Sequence, residues 1–411
     1  MCGLHLRLSK PQWQHVVRLA DALVVSASRH KTIARLSRLL VDAPASSHGA
    51  DTLRISPWAA EAIRAPLRQL MVEDLVTYAS QSGPWTLYVS VDDSLGEKDT
   101  GTRHLEAVAY PHDHTKSQGP KKPAYPNGAV HVDVRLALGA RSYAYDWRLS
   151  LRETTVRRLN RRRAPAQRRR FRKKTTLAHE MLATLRQMLP PGFQVYVLFD
   201  SGYASNRVLK CCRRQGWHVV CAMQSNRKLD GQKLSQGPQT RRHQRYQRVQ
   251  LTATDQRQRT YLVRQRHGRL QRVPFAVCVL ISQRHHRDTH PQYFLCTDLT
   301  LSAQNILRMD QKHWPIDVDN FSVTQHVGLA DVRGQSYEAI AKWFAVVFLA
   351  LGFVQWRLNY ERAQAPWHSL ADVVRHHRYE HARTLLETAC QEAAQVSDYR
   401  SVLQRFLCQA A

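Results

Sequence analysis

The chain has 411 residues and carries 61 lysines and arginines against 32 aspartates and glutamates, a formal net charge of +29. Because 43% of the residues are hydrophobic and 8% are aromatic, this composition excludes a disordered basic tail and predicts about two or three folded domains. A surface this positive favours an anionic partner, usually nucleic acid. We expect no membrane partner, because the longest apolar run, residues 343–354, is too short to span a bilayer.

Cysteine usage and the first residues of the chain predict its compartment. The eight cysteines are irregularly spaced and do not form a disulfide framework. Residues 1–10 lack the apolar segment of a signal peptide. We therefore expect a cytoplasmic protein associated with the nucleoid.

Residues 1–80 have the apolar spacing of helices. Val16, Leu19 and Leu23 repeat at helical intervals. A later helix is predicted after Ser56-Pro57, because serine at the cap and proline in the first turn are start signals. A small basic helical bundle is compatible with a DNA-binding domain and, equally, with a packing or dimerisation bundle, and the sequence leaves both open.

The spacing of apolar residues changes from helical to strand-like at Trp85, and residues 81–223 predict a sheet. Three strand-like runs at 85–91, 128–136 and 141–151 predict an antiparallel meander. The apolar strand 193–199, a helix at 205–215 and a strand at 218–223 then complete a βαβ unit. Residues 224–300 are polar with short strands and predict a β-rich insertion. Residues 301–360 return to helical spacing, and further helices are predicted at 361–411.

Two aspartates follow predicted buried strands. Asp93 comes directly after the first strand, and Asp200 follows the strand of the βαβ unit. Two carboxylates on neighbouring strands repel unless a cation lies between them, and oxygen ligands suit Mg²⁺ or Mn²⁺. Two such ions would activate water or a 3′-hydroxyl for phosphodiester transfer. In the alternative interpretation each aspartate is a turn or capping residue, with Asp200 capping the helix at Ser205.

The order of these elements is typical of a ribonuclease-H-like fold, and the acidic motifs resemble those of DDE transposases from bacterial insertion sequences. The resemblance is to the insertion-sequence-four superfamily and its insertion-sequence-701-like branch. It rests on motifs in the family's order: Val91-Asp92-Asp93-Ser94 with Glu97-Lys98, Val197-Leu198-Phe199-Asp200-Ser201-Gly202-Tyr203, and Trp314 with Gly328-Leu329.

The resemblance implies an α/β ribonuclease-H-like core with a β-rich insertion and helical regions at both ends. It implies a transposase that binds the terminal inverted repeats of its element and performs cut-and-paste cleavage and strand transfer on double-stranded DNA. Asp93, Asp200 and Asp317 correspond to the family's ligands for two Mg²⁺ or Mn²⁺ ions. Synapsis of transposon ends on target DNA implies a homodimer.

The third motif departs from the family pattern. Where the family has Tyr, Arg, Glu and Lys on one helix, this chain has Asp310, His313, Asp317 and Thr324, and we expect these four positions still to share a helix face. Asp317 keeps the charge but has a shorter reach, and Asp319 is an alternative ligand. Thr324 cannot supply a cation to a phosphate, whereas protonated His313 could partly replace the arginine. Two alternatives to the transposase therefore stay open: a domesticated or inactive DNA-binding protein, and a nuclease without strand transfer.

The densest positive charge lies in residues 157–174, with 11 lysines and arginines and no acid. We expect phosphate contacts from this segment without base specificity. A loop that orders only on DNA is compatible with its composition. The residues expected to bind DNA are Arg161, Arg162, Arg163, Arg168, Arg169, Arg170, Arg172, Lys173, Lys174 and His313.

Overall fold

The structure, a computed structural model, describes residues 6–39, 46–83, 85–113, 116, 124–161, 163–236, 246–252, 257–285, 288, 290–362, 364–365, 367–396 and 399–410. The helices are α1 (Lys10–Val25), α2 (Ile33–Leu36), α3 (Ser46–Arg54), α4 (Glu61–Ser82), α5 (Glu153–Asn160), α6 (Lys174–Met188), α7 (Asn206–Arg214), α8 (Ala303–Gln311), α9 (Pro315–Gln325), α10 (Tyr337–Glu361), α11 (Leu370–Ala393) and α12 (Tyr399–Ala410). The strands are β1 (Thr86–Glu97), β2 (Gly128–Leu138), β3 (Arg141–Ser150), β4 (Gln194–Phe199), β5 (His218–Met223), β6 (Lys228–Leu229), β7 (Gln232–Lys233), β8 (Gln247–Thr252), β9 (Gln258–Arg269), β10 (Ala276–Gln283) and β11 (Gln292–Cys296).

A nine-stranded mixed sheet forms the centre of the molecule, in the order β3-β2-β1-β4-β5-β11-β10-β9-β8. The first three strands pair antiparallel as a meander, and β4 and β5 continue the sheet parallel to β1. This arrangement confirms the predicted α/β class and is consistent with a ribonuclease-H-like core. The parallel step from β4 to β5 is made through α7, as a βαβ crossover requires.

Four of the six strands in the predicted insertion extend this same sheet, and β6 and β7 pair separately. β11 pairs antiparallel with β5, from Tyr293 opposite Met223 to Cys296 opposite Val220. β10, β9 and β8 then follow as an antiparallel meander. The core strands and the inserted strands therefore form one continuous hydrogen-bonded surface.

The N-terminal helices pack on the long apolar helix α10. Side chains of α1 and α4, including Leu23 and Ile63, share one buried cluster with Phe344 of α10. Among the described residues α10 is the one helix long and apolar enough to cross a membrane, and 89% of its most apolar window is buried inside the protein. This is the packing of a core helix, and it places the N-terminal helices against the same core as the sheet.

The third-motif region differs from the expected single helix. α8 ends at Gln311 and α9 begins at Pro315, so Asp310 lies on a different helix from Asp317. Proline has no amide hydrogen to donate, so Pro315 cannot make the backbone hydrogen bond that would continue α8. The prediction that positions 310, 313, 317 and 324 share one helix face was therefore wrong.

Candidate active site

Two of the acids meet where the parallel strands β1 and β4 separate. The last paired residues are Val91 and Phe199, so Asp92 and Asp200 are the next residues along the two strands. β1 itself continues to Glu97, because it stays paired with β2 beyond this point. Asp92 and Asp93 therefore lie within a strand, not after one, and their side chains point to opposite faces of the sheet.

Asp317 joins Asp92 on one of these faces. It lies in the first turn of α9, close enough for the protonated Asp92 carboxyl to donate a hydrogen bond that lowers the pKa of Asp317. Burial, together with the nearby charges of Asp317, Asp93 and Asp200, raises the pKa of Asp92 to about 8. Burial also raises the pKa of Asp317, against the lowering effect of His313. Asp92, Asp200 and Asp317 form what we call the acid cluster.

Asp93 lies on the opposite face of β1 and has a cationic partner. One carboxylate oxygen accepts a 2.8 Å hydrogen bond from the hydroxyl of Tyr203. The other contacts the ammonium group of Lys174, the first residue of α6. The structure therefore brings Asp92 together with Asp317 on one face and leaves the sequence-predicted Asp93 on the other. The two-residue period of β1 was the signal that could have identified Asp92.

Polar contacts from β2 hold α9 in place. Arg135 forms a buried ion pair with Asp319, with 2.9 Å between Nε and Oδ2. Asn320 donates a 3.4 Å hydrogen bond to Asp133, the residue opposite Asp92 in the sheet. Burial raises the pKa of Asp133 well above its usual value, and Asp92 adds to the shift. Asp319, considered as an alternative third ligand, is thus engaged by Arg135.

The other third-motif residues have local partners. The Nε2 atom of His313 lies 3.2 Å from the carbonyl oxygen of Val91. This contact places the imidazole beside β1, next to the acid cluster. The Thr324 hydroxyl donates to the carbonyl oxygen of Asn320 within α9. Burial raises the pKa of Asp310 to about 6, and its position on α8 brings another carboxyl group to this region.

The donor set of the acid cluster fits a hard divalent cation. Its ligands are carboxylate oxygens alone, the type that Mg²⁺ and Mn²⁺ prefer. Within the described ranges, Asp92, Asp200 and Asp317 have no lysine or arginine within ion-pair distance. Among the described residues, no three histidine, cysteine, aspartate or glutamate side chains lie close enough together to ligate one metal ion as they stand. A bound ion would have to displace the proton that Asp92 shares with Asp317.

The basic segment 157–174 contains two classes of arginine. Arg163 binds Glu106 and Glu338, and Arg169 binds Glu338 and stacks on the Tyr337 ring at 3.6 Å. Both are only partly exposed and hold the segment against the start of α10. The expected DNA-binding residues that are exposed are Arg161, Arg168, Arg170, Arg172, Lys173 and Lys174. Arg162 lies outside the described residues.

A comparison with protein families identifies one match. The family model described as "DDE superfamily endonuclease" matches residues 8–275. A search of curated proteins finds no match. The matched range includes Asp92 and Asp200 and ends before Asp317, so the divergent third motif lies beyond it.

Proposed function

Since the chain belongs to the DDE superfamily endonucleases, as the match over residues 8–275 shows, we propose that it is a transposase that cuts and joins DNA with divalent metal ions. The observation that carries this proposal is the acid cluster. Asp92, Asp200 and Asp317 come from two neighbouring strands and one helix and have no cationic side chain to neutralise them in the described structure. A pair of Mg²⁺ or Mn²⁺ ions would neutralise them.

In this proposal Asp92, Asp200 and Asp317 hold the ions. When bound, the ions would supply an activated oxygen nucleophile and neutralise charge on the leaving oxygen. The chain's own contribution is positioning. Asp200 is oriented by the amide of Gly202, which donates a 2.9 Å hydrogen bond to Oδ1. Arg135 and Asn320 fix α9 so that Asp317 faces Asp92. His313, when protonated, would present a positive charge to a phosphate at this edge.

The partners in the proposal are double-stranded DNA of the transposon ends and of the target. The net charge of +29 supports an anionic partner. The motif order supports the insertion-sequence-701-like branch and, with it, binding of terminal inverted repeats, cut-and-paste transposition and a synaptic homodimer. We propose that this takes place in the bacterial cytoplasm, at the nucleoid.

A nuclease without strand transfer is the second candidate function. The observation that favours it is Thr324, which stands where the family has a lysine and whose hydroxyl is engaged within its own helix. Without that cation, the cluster has fewer groups to hold a second DNA strand for joining. If the loss of this cation also abolished cleavage, the protein would be an inactive descendant of a transposase that only binds DNA.

The test is Mg²⁺- or Mn²⁺-dependent cleavage and joining of DNA that carries the element's own ends. Wild-type protein should nick such DNA, whereas Asp92→Asn and Asp317→Ala should not. Cleavage without joined products would establish the nuclease, and no cleavage at all by wild-type protein would contradict both enzymatic functions. The double change Asp317→Glu with Thr324→Lys shows whether the family residues increase joining.

A further inference from the structure

The exposed part of the basic segment is held in a fixed position. Asn160, at the end of α5, donates a 2.8 Å hydrogen bond to the carbonyl of Arg169 and accepts one of 2.8 Å from its amide. The Arg169 side chain is fixed in turn by Glu338 and Tyr337. Since backbone and side chain are both held, residues 168–172 are presented in a defined geometry before any ligand arrives.

Exposure alternates along this stretch. Arg168, Arg170 and Arg172 are exposed, whereas Arg169 and Phe171 between them are partly buried. The backbone at Arg168 is extended, with φ −67° and ψ 135°, and no helix forms before Lys174. In an extended chain, alternate residues are about 6–7 Å apart. Three exposed arginines therefore alternate with two partly buried residues along a non-helical stretch.

This row of arginines borders a cleft of about 690 Å³. Leu149, Val156 and Leu177 contribute apolar walls, and Arg168, Arg170 and Arg172 line the cleft as well. Arg172 also pairs with Glu180 at 2.8 Å. Within the part of the chain that is described, neither Arg168 nor Arg170 has an acidic partner at ion-pair distance. Their charge is available for a ligand.

The row ends at the same end of the sheet as the acid cluster, on the face of β1 that carries Asp93. Two residues after Arg172, Lys174 contacts Asp93, whose neighbour in β1 is Asp92. The cleft is also lined by Leu149, near the end of β3, which is paired with His131 in β2. His131 in turn is opposite Ser94 in β1, so the cleft and the acid cluster lie at the same end of the sheet.

We propose that Arg168, Arg170 and Arg172 bind successive phosphates of one DNA strand and lead that strand to the end of the sheet that carries the acid cluster. The alternation of the three exposed arginines suits a repeating anion, and arginine can bind phosphate through two parallel hydrogen bonds. The base edges are not contacted, so the row binds without sequence preference. Only the destination of the strand rests on the proposed function; the binding itself does not require cleavage.

The experiment measures binding of the full-length protein to a random-sequence DNA duplex, with EDTA present, over a series of salt concentrations. Arg168→Ala and Arg170→Ala should each weaken binding about threefold to tenfold and reduce the slope of log affinity against log salt by about 0.9. Lys replacements should keep the slope, because they keep the charge. Glu180→Gln should strengthen binding by releasing Arg172.

Two variants serve as comparisons. Lys173→Ala removes an equally exposed charge that is out of step with the alternation, and should change the slope by less than half as much as Arg170→Ala. Arg375→Ala, on the remote helix α11, removes an exposed arginine that pairs with Asp372 and should leave binding unchanged. Equal slope changes for Lys173 and Arg170, or none for Arg168 and Arg170, would overturn the proposal. Because EDTA prevents metal-dependent cleavage, failure of the proposed enzyme activity would not affect the result.

Discussion

The two faces of β1 differ by one residue and have opposite electrostatics. On one face Asp92 lies with Asp317 and Asp200, and burial together with these acids raises its pKa to about 8. On the other face Asp93 is matched by the Lys174 ammonium and the Tyr203 hydroxyl. A carboxylate that has its own cation gains little from a metal ion, whereas a group of carboxylates without one gains a great deal. In the proposed function the ions therefore bind on the first face, and the second face gives structural support.

The largest effect on cleavage should come from removing one carboxylate charge on the first face. Asp92→Asn keeps the shape of the side chain and removes the ligand charge, so it should lower the cleavage rate about 1,000-fold or more, since metal ions contribute several kcal/mol to such reactions. The matched variant Asp93→Asn should lower it about tenfold or less, as an indirect effect on positioning. Cleavage rates on one DNA substrate give the comparison. The reverse ranking would return the ligand role to Asp93.

Removing the support of α9 should cost stability. Arg135→Ala leaves the Asp319 carboxylate buried without its partner, which should lower the free energy of unfolding by about 3–5 kcal/mol. Denaturant unfolding measures this loss. The double variant Arg135→Met with Asp319→Leu should recover most of it, because no unpaired charge remains. If the single variant is as stable as wild type, the ion pair does not hold α9.

The metal-free protein should lose stability as the pH rises. The folded pKa of Asp92 is raised from an ordinary value of 3.8 to about 8. Its contribution is therefore fully present below pH 3.8 and is lost as the pH rises through about 8. Melting temperatures in EDTA should fall between pH 6 and pH 9, and Asp92→Asn should fall less over that range. Equal slopes for the two proteins would contradict the assignment of this dependence to Asp92.

The smallest effect is expected on the second face. Tyr203→Phe removes one hydrogen bond to the Asp93 carboxylate and should lower the free energy of unfolding by about 1.5 kcal/mol. The ion pair with Lys174 remains, so cleavage should change little. Denaturant unfolding and the cleavage rate are measured together. A loss of cleavage comparable to that of Asp92→Asn would show that the second face takes part in the chemistry.

Much of the fold was predictable from local patterns. The runs at 85–91, 128–136 and 193–199 have the apolar, β-branched character of buried strands, and each forms one. The family motifs indicated how the first five strands connect. The extension of the sheet by β8–β11 was not predictable, because the pairing of β11 with β5 joins segments about seventy residues apart and depends on tertiary context.

The site was predicted in part. Placing Asp200 at the end of its strand agrees with the structure, because β4 ends at Phe199. Asp92 was missed because β1 was expected to end at Val91, and the motif alignment favoured the second aspartate. Side chains alternate between the two faces of a strand, so the strand decides which aspartate faces Asp317. This alternation applies to Asp92 and Asp93 only because β1 continues to Glu97. The engagement of Asp319 by Arg135 spans 184 residues of chain and had no local signal.

The pairing of β5 with β11 has a consequence for how this protein can be shortened or rearranged. β5 is flanked by β4 on one side and by an inserted strand on the other, so its backbone amides and carbonyls are shielded on both sides. A truncated protein joined directly from residue 223 to residue 297 would turn β5 into a bare edge composed of His218–Met223. Unpaired apolar edges recruit strands from other molecules. The inserted strands therefore protect the core against self-association, whatever else they contact.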